Sequence, residues 1–153
     1  MSVNSNTRQA ILTFRLADQY YALPIENVLE VVAMMTISKI PNAPDAIIGM
    51  VNRHGEALAM LDLRLVFGLY ASPPDVSTLF IVAQGETETY RLGLLVDEIL
   101  QVRYVVSVDI QVAKGIGQYI SNIIHIDDTL YQQVNLHAIA TDYLDNVQPS
   151  TDM

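Results

Sequence analysis

"YALPIENVLEV", Tyr21 to Val31, lies residue by residue over "LGLLVDEILQV", Leu92 to Val102. Leu23 falls on Leu94, Ile25 on Val96, Glu26 on Asp97, Val28 on Ile99, Leu29 on Leu100 and Val31 on Val102. Further on, "MVNRHGEALAMLDL" from Met50 covers "IIHIDDTLYQQVNL" from Ile123 at nearly the same offset, so the His54-Gly55 turn answers Asp127-Asp128 and Asp62 answers Asn135. A period hidden in a chain is stronger evidence about architecture than any single motif. Each half reads as roughly five short β-branched runs broken by Gly, Pro, Asn and Asp, the pattern of small sheets and hairpins rather than of long helices. The expected fold is therefore all-β: two small five-stranded β-barrels related by duplication and packed on a shared hydrophobic core, with a few short helical turns.

The pseudo-repeats span about 11–69 and 79–142 of a single domain, 8–146, and the segment 70–78, which contains "YASPPDVS", joins them, since adjacent prolines cannot donate to a ladder. The ends, 1–7 and 147–153, read as flexible tails. In the first half, "HG" between apolar arms is a tight hairpin connection, because Gly55 reaches positive φ without steric cost. The arm "ALAML" (57–61) has no polar residue and should be buried on both faces. Asp62, ahead of "LRLVF" and Gly68, fits an N-cap and a C′ glycine around one or two helical turns.

Composition narrows the function. With 51% hydrophobic and 16% charged residues, the 153-residue chain can bury a sizeable core. It has no Cys, hence no disulfide, thiolate zinc site or cysteine nucleophile. A net charge of −9, with only eight Lys and Arg, disfavours nucleic acid and anionic membrane as partners. No apolar run approaches a membrane span of about 18 residues, and the first residues lack a secretory signal, so a cytoplasmic location without membrane insertion is expected.

No catalytic constellation stands out. Asp97 and Glu98 are adjacent, and adjacent side chains in extended chain point apart, which defeats paired acid and base work. His54, His125 and His137 lack the spacing of a metal pair. "KGIGQ" (114–118) would cradle phosphate only if it opened a helix, and a strand-like "YISNII" follows, so it reads as a loop. The chain thus points to no enzyme, no metal and no cofactor.

These residues carry a family resemblance. Tyr21, Leu23, Ile25, Val28 and Glu30, then Ile40, Pro41, Ala43 and Pro44, then Gly49, Asn52 and Gly55, then Asp62, Leu63 and Arg64, and last Gly93, Leu94, Val96 and Asp97 follow in order a pattern that resembles the CheW-like domain of bacterial chemotaxis coupling proteins. The resemblance implies a non-enzymatic cytoplasmic adaptor that bridges the cytoplasmic helical hairpin of a methyl-accepting chemoreceptor and the regulatory domain of a CheA-type histidine kinase. An adaptor of a type IV pilus or other non-flagellar pathway is a variant of that reading, and a small β-barrel module binding a small ligand is an alternative of another class.

The resemblance also nominates residues. Val28, Leu94, Val96 and Ile99 belong to a segment that in the family lines a receptor-binding groove, although each could equally be core. Glu30 and the Asn52-Arg53-His54-Gly55 turn occupy motifs the family presents to partners. Where the family has Arg before the glycine, this chain has His54, and Arg53 precedes it. Arg53 is then the residue to supply a permanent charge, with His54 contributing one only as pH falls toward ~6.5.

Overall fold

The computed structural model describes residues 8–86 and 90–144, so the expected tails and the end of the expected domain lie outside the described residues. Strands β1 (Arg8–Leu16), β2 (Gln19–Pro24), β3 (Val28–Ala33), β4 (Ile47–Arg53) and β5 (Glu56–Asp62) lead into a short helix, α1 (Leu63–Val66). Strands β6 (Leu79–Gln84), β7 (Arg91–Leu95), β8 (Glu98–Val106), β9 (Ile110–Val112), β10 (Ile120–Ile126) and β11 (Thr129–Val134) follow, then helix α2 (Leu136–Leu144). They build two curled sheets, ordered β8-β1-β2-β11-β10-β9 and β3-β6-β7-β5-β4.

The two orders are the same order. Pairing β1, β2, β3, β4 and β5 of the first half with β6, β7, β8, β10 and β11 of the second turns one sheet into the other, with β9 left over. The parallel contact repeats as well, β11 on β2 in one sheet and β5 on β7 in the other. Each sheet is not built from one half, however. The β1–β2 hairpin joins the second half's strands and the β6–β7 hairpin joins the first half's, so the halves exchange hairpins and cannot fold as separate barrels. The sixth strand, β9, has three residues with no alternation of burial, too short for a period-two pattern to register.

The equivalent turns match in conformation. Arg53 pairs with Glu56 and Ile126 with Thr129, leaving two-residue loops in both hairpins. His54 and Gly55 take φ of 51° and 83°, Asp127 and Asp128 take 47° and 65°. Both central residues at positive φ is the turn whose twist suits paired strands, and Asp is among the few non-glycine residues that tolerate it.

Packing comes in three layers. Ile11, Ala22, Val105, Ile124 and Tyr131 fill the six-stranded sheet. Val51, Leu58, Met60, Phe80 and Val82 fill the five-stranded one. Between the sheets lies the largest cluster, which includes Phe14, Leu23, Leu61, Ile81, Leu94 and Ile139. The apolar arm of β5 serves two of these layers, Leu58 and Met60 inward and Leu61 toward the shared core, while Ala57 at its start is exposed.

Two helical features frame that core. The Arg64 backbone N–H donates to Asp62 Oδ1 at 3.0 Å, which makes Asp62 the N-cap of α1. Gly68 at φ 72° follows the helix, as a C′ glycine should. Helix α2 went unread in the sequence, because "LHAIATDYL" is only nine residues long and its apolar positions also satisfy a strand.

Candidate partner-binding site

The nominated residues fall into two places. The first is the seam of the five-stranded sheet, where its outermost strands, β3 and β4, meet as the sheet curls. Glu30 lies on β3 and Arg53 at the end of β4, and Arg53 Nε donates to Glu30 Oε1 at 3.2 Å. Beside them, the Gly55 N–H donates to Asn52 Oδ1 at 2.8 Å, which sets the turn. Asn52, His54 and Gly55 are exposed, so this hairpin tip is a surface. Glu30 and Arg53, both nominated for the partner surface, lie together and bond each other, so what the surface presents is a pair.

The second place is the junction of the sheets. Val28 and Ile99, equivalent in the repeat, are both partly buried against the shared core. Leu94 is 0% exposed and Val96 3%, so neither can line a surface groove. The cause is simple: Leu94 lies on β7, a central strand covered on one face by the other sheet and on the opposite face by its own sheet's interior, and Val96, just past the end of β7, packs into the same shared core, whereas Val28 and Ile99 lie at the starts of edge strands.

Those edge strands carry residues that the sequence reading passed over. Leu29 and Val31 on β3 and Val102 on β8 are 39%, 41% and 43% exposed. Val31 and Val102 are equivalent in the repeat, and β3 and β8 are the equivalent ends of the two sheets. The available signal was the uninterrupted "VLEVVAMM", which is more apolar than a half-exposed edge strand requires. Leu29 and Val31, two residues apart on β3, face the same side, and exposed apolar residues at that spacing suit the apolar face of an amphipathic helix.

The protein also holds a buried ionic cluster. Arg64, 3% exposed, sends Nε to Asp62 Oδ1 and Nη2 to Asp62 Oδ2, both at 2.9 Å, in the two-pronged geometry guanidinium makes with carboxylate. Its Nη1 donates to Asp97 Oδ1 at 2.8 Å, and its Nη1 and Nη2 reach the Ser72 hydroxyl and carbonyl. Asp97 Oδ2 accepts from the Ala17 N–H at 2.7 Å. The chain Asp62, Arg64, Asp97, Ala17 therefore runs from the five-stranded sheet to the β1–β2 turn of the other, and it holds the two sheets in one orientation. The Asp62 carboxylate raises the Arg64 guanidinium above its already high ordinary value.

Among the described residues no three His, Asp or Glu gather closely enough to hold a metal ion, and no helix is long and apolar enough to cross a membrane.

Residues 10–143 match the family model of the CheW-like domain. The chain is similar to the chemotaxis protein CheW of Helicobacter pylori, with 29% identity over 63% of this chain and 58% of that protein, so the match spans little more than half of that relative's length. It is similar to Protein FrzA of Myxococcus xanthus, 31% identical over 72% of this chain and 68% of that one. In three dimensions it is similar to the scaffolding protein TtCheW from Thermoanaerobacter tengcongensis, with a TM-score of 0.77 and 25% identity over 84% of this chain and 90% of that one.

Proposed function

The chain belongs to the CheW-like domain family, and from that premise we propose that it is a cytoplasmic adaptor coupling a chemoreceptor's helical hairpin to the regulatory domain of a CheA-type histidine kinase. It acts by geometry and catalyses nothing itself. The observation that carries this reading is the exposed apolar strip Leu29 and Val31 on β3, with the repeat equivalent of Val31, Val102, also exposed on β8. The strip supplies apolar contact for a helix. The hairpin tip supplies charge and register for a second protein, since charge complementarity selects a partner more than it adds affinity.

Titration of purified receptor-hairpin and kinase regulatory domains against wild type, Val31→Lys, Val102→Lys and Arg53→Glu tests the proposal. A lysine placed where an apolar face must dock should weaken receptor binding more than tenfold, since each ~1.4 kcal/mol is a factor of ten. Arg53→Glu should weaken one partner and spare the other. Kinase output should change only when receptor is present. Unchanged affinity for both partners in all three variants would end the adaptor reading.

A further inference from the structure

A cleft of about 560 Å³ opens between the six-stranded sheet and residues that flank β6 and β7 of the other. Asn27, from the link between β2 and β3, and Tyr90, just before β7, line it together with Gln133 of β11 and His137 of α2. Its size lies within the usual range for small-molecule sites, about 300–1,000 Å³.

Two of its side chains are buried amides that are only half satisfied. Asn27 is 7% exposed and Gln133 9%. Asn27 Nδ2 donates to the Gln84 carbonyl at 2.9 Å, and Gln133 Oε1 accepts from Asn122 Nδ2 at 3.2 Å. Among the described residues Asn27 Oδ1 and Gln133 Nε2 have no protein partner, and no side-chain nitrogen or oxygen sealed from solvent lacks one. Both atoms are therefore reachable by water, and the cleft is the opening that both residues line. An acceptor and a donor on two largely buried, fixed side chains are placed for a ligand whose own groups replace that water.

The remaining chemistry limits the ligand. Among the described residues the ionisable side chains at the cleft are the Tyr90 phenol, the Glu86 carboxylate and the His137 imidazole, and no Lys or Arg lines it. Phosphate and carboxylate ligands are held best by guanidinium or ammonium, and the helix end that could otherwise draw an anion, the start of α2, is already capped by Asn135 Oδ1, which accepts from the Ala138 N–H at 3.1 Å. Tyr90 adds a flat aromatic wall, and its ring packs so close to Gly85 that a Cβ there would sit 2.6 Å from it.

We propose that this cleft binds a small uncharged planar heterocycle bearing both a hydrogen-bond donor and an acceptor, of the nucleobase or nucleoside class, with the donor on Asn27 Oδ1, the acceptor on Gln133 Nε2 and the ring against Tyr90. Because Asn27 links the two sheets and Gln133 belongs to one of them, an occupant also braces the sheets against each other.

The test is isotope-edited NMR titration of the full chain with adenosine and uridine, with the matching monophosphates as the charged arm. Nucleosides should shift the Asn27, Tyr90 and Gln133 amides saturably, and the monophosphates should bind about tenfold more weakly or not at all. Gln133→Glu keeps the oxygen that Asn122 uses but replaces the free donor by an acceptor, and should cut nucleoside affinity at least about tenfold. Since a buried carboxylate could unfold that variant, His137→Trp is the second. His137 is exposed, and a Trp there should fill the cleft mouth and abolish the shifts in a folded protein. No saturable shift with either nucleoside, monophosphates binding as tightly, or undiminished binding to folded His137→Trp would each overturn the proposal.

Discussion

Arg53 and Glu30 join the two outermost strands of one sheet through a single ion pair at 3.2 Å, with Arg53 the more buried partner at 16% side-chain exposure against 37% for Glu30. Sheet edges invite wrong pairing; the Ser38 backbone pairs with Met50 on the outer side of β4, and the ion pair adds a charge bridge from β4 to β3. Arg53→Glu sets two carboxylates against each other and should cost about 1 kcal/mol, the upper range for a half-exposed pair. In a domain of this size that lowers Tm by about 2–4 °C. The double exchange Glu30→Arg with Arg53→Glu should recover most of the loss while leaving partner binding impaired, because the surface then carries its charges reversed. Thermal melts of wild type, Glu30→Arg, Arg53→Glu and the double exchange form a complete cycle, and a double exchange no more stable than Arg53→Glu would show that the pair does not close the seam.

The buried cluster should be far more sensitive. Arg64→Met leaves Asp62 and Asp97 without their shared cation, and an uncompensated buried charge costs about 3–5 kcal/mol. Arg64→Lys keeps the charge but not the two-pronged fork on Asp62, so it should fall between wild type and Met. Urea unfolding resolves the order. Equal midpoints for Lys and Met would mean that the fork geometry, and not the charge, carries the whole effect.

Much of this architecture was legible in the chain because duplication prints itself twice. Leu23 over Leu94 and His54-Gly55 over Asp127-Asp128 are each visible as matched letters, and the turns they mark share one backbone conformation. The exchange of hairpins was not legible, since alternation along β1 and β2 says which face is buried and nothing about which strands lie alongside. The site was half legible. Motif positions located Glu30 and Arg53, but their mutual bond depends on how the sheet curls. Leu94 and Ile99 look alike as letters, and only the place of β7 in the middle of its sheet and of β8 at an edge separates core from surface. Arg64 and Asp97 lie 33 residues apart, too far for any local pattern to join them.

That separation of core from surface yields a direct contrast. Leu94→Lys buries an ammonium among Leu23, Leu61 and Ile81 and should leave little folded protein, as circular dichroism would show. Val31→Lys, on an edge strand and 41% exposed, should melt within about 0.5 kcal/mol of wild type, as surface substitutions do. A folded Leu94→Lys protein would contradict the placement of β7.

Helix α2 is fixed by an aromatic contact that responds to pH. Tyr119 stands edge-on to Phe67 at 6.4 Å between ring centroids and tilted to Tyr143 of α2 at 6.2 Å. Its hydroxyl donates to Asp142 Oδ2 at 2.5 Å. Burial of the phenol, and then the hydrogen bond and charge of Asp142, push its pKa up to about 12 from an ordinary value of 10.0. The unfolded chain therefore gives up this proton first. Below about pH 10 both states are protonated and the contact contributes its full stability. Between about 10 and 12 the unfolded state is ionised while the folded state is not, and the contribution is lost as pH rises through that window. Tyr119→Phe keeps the ring and removes the proton, so its stability should fall less steeply across the same range. Ultraviolet absorbance of phenolate after a pH jump, read before unfolding, should show wild type gaining one more phenolate than Tyr119→Phe, with a midpoint near 12. A midpoint near 10 for that extra phenolate would remove the Tyr119–Asp142 bond from the folded molecule, and with it this anchor of α2.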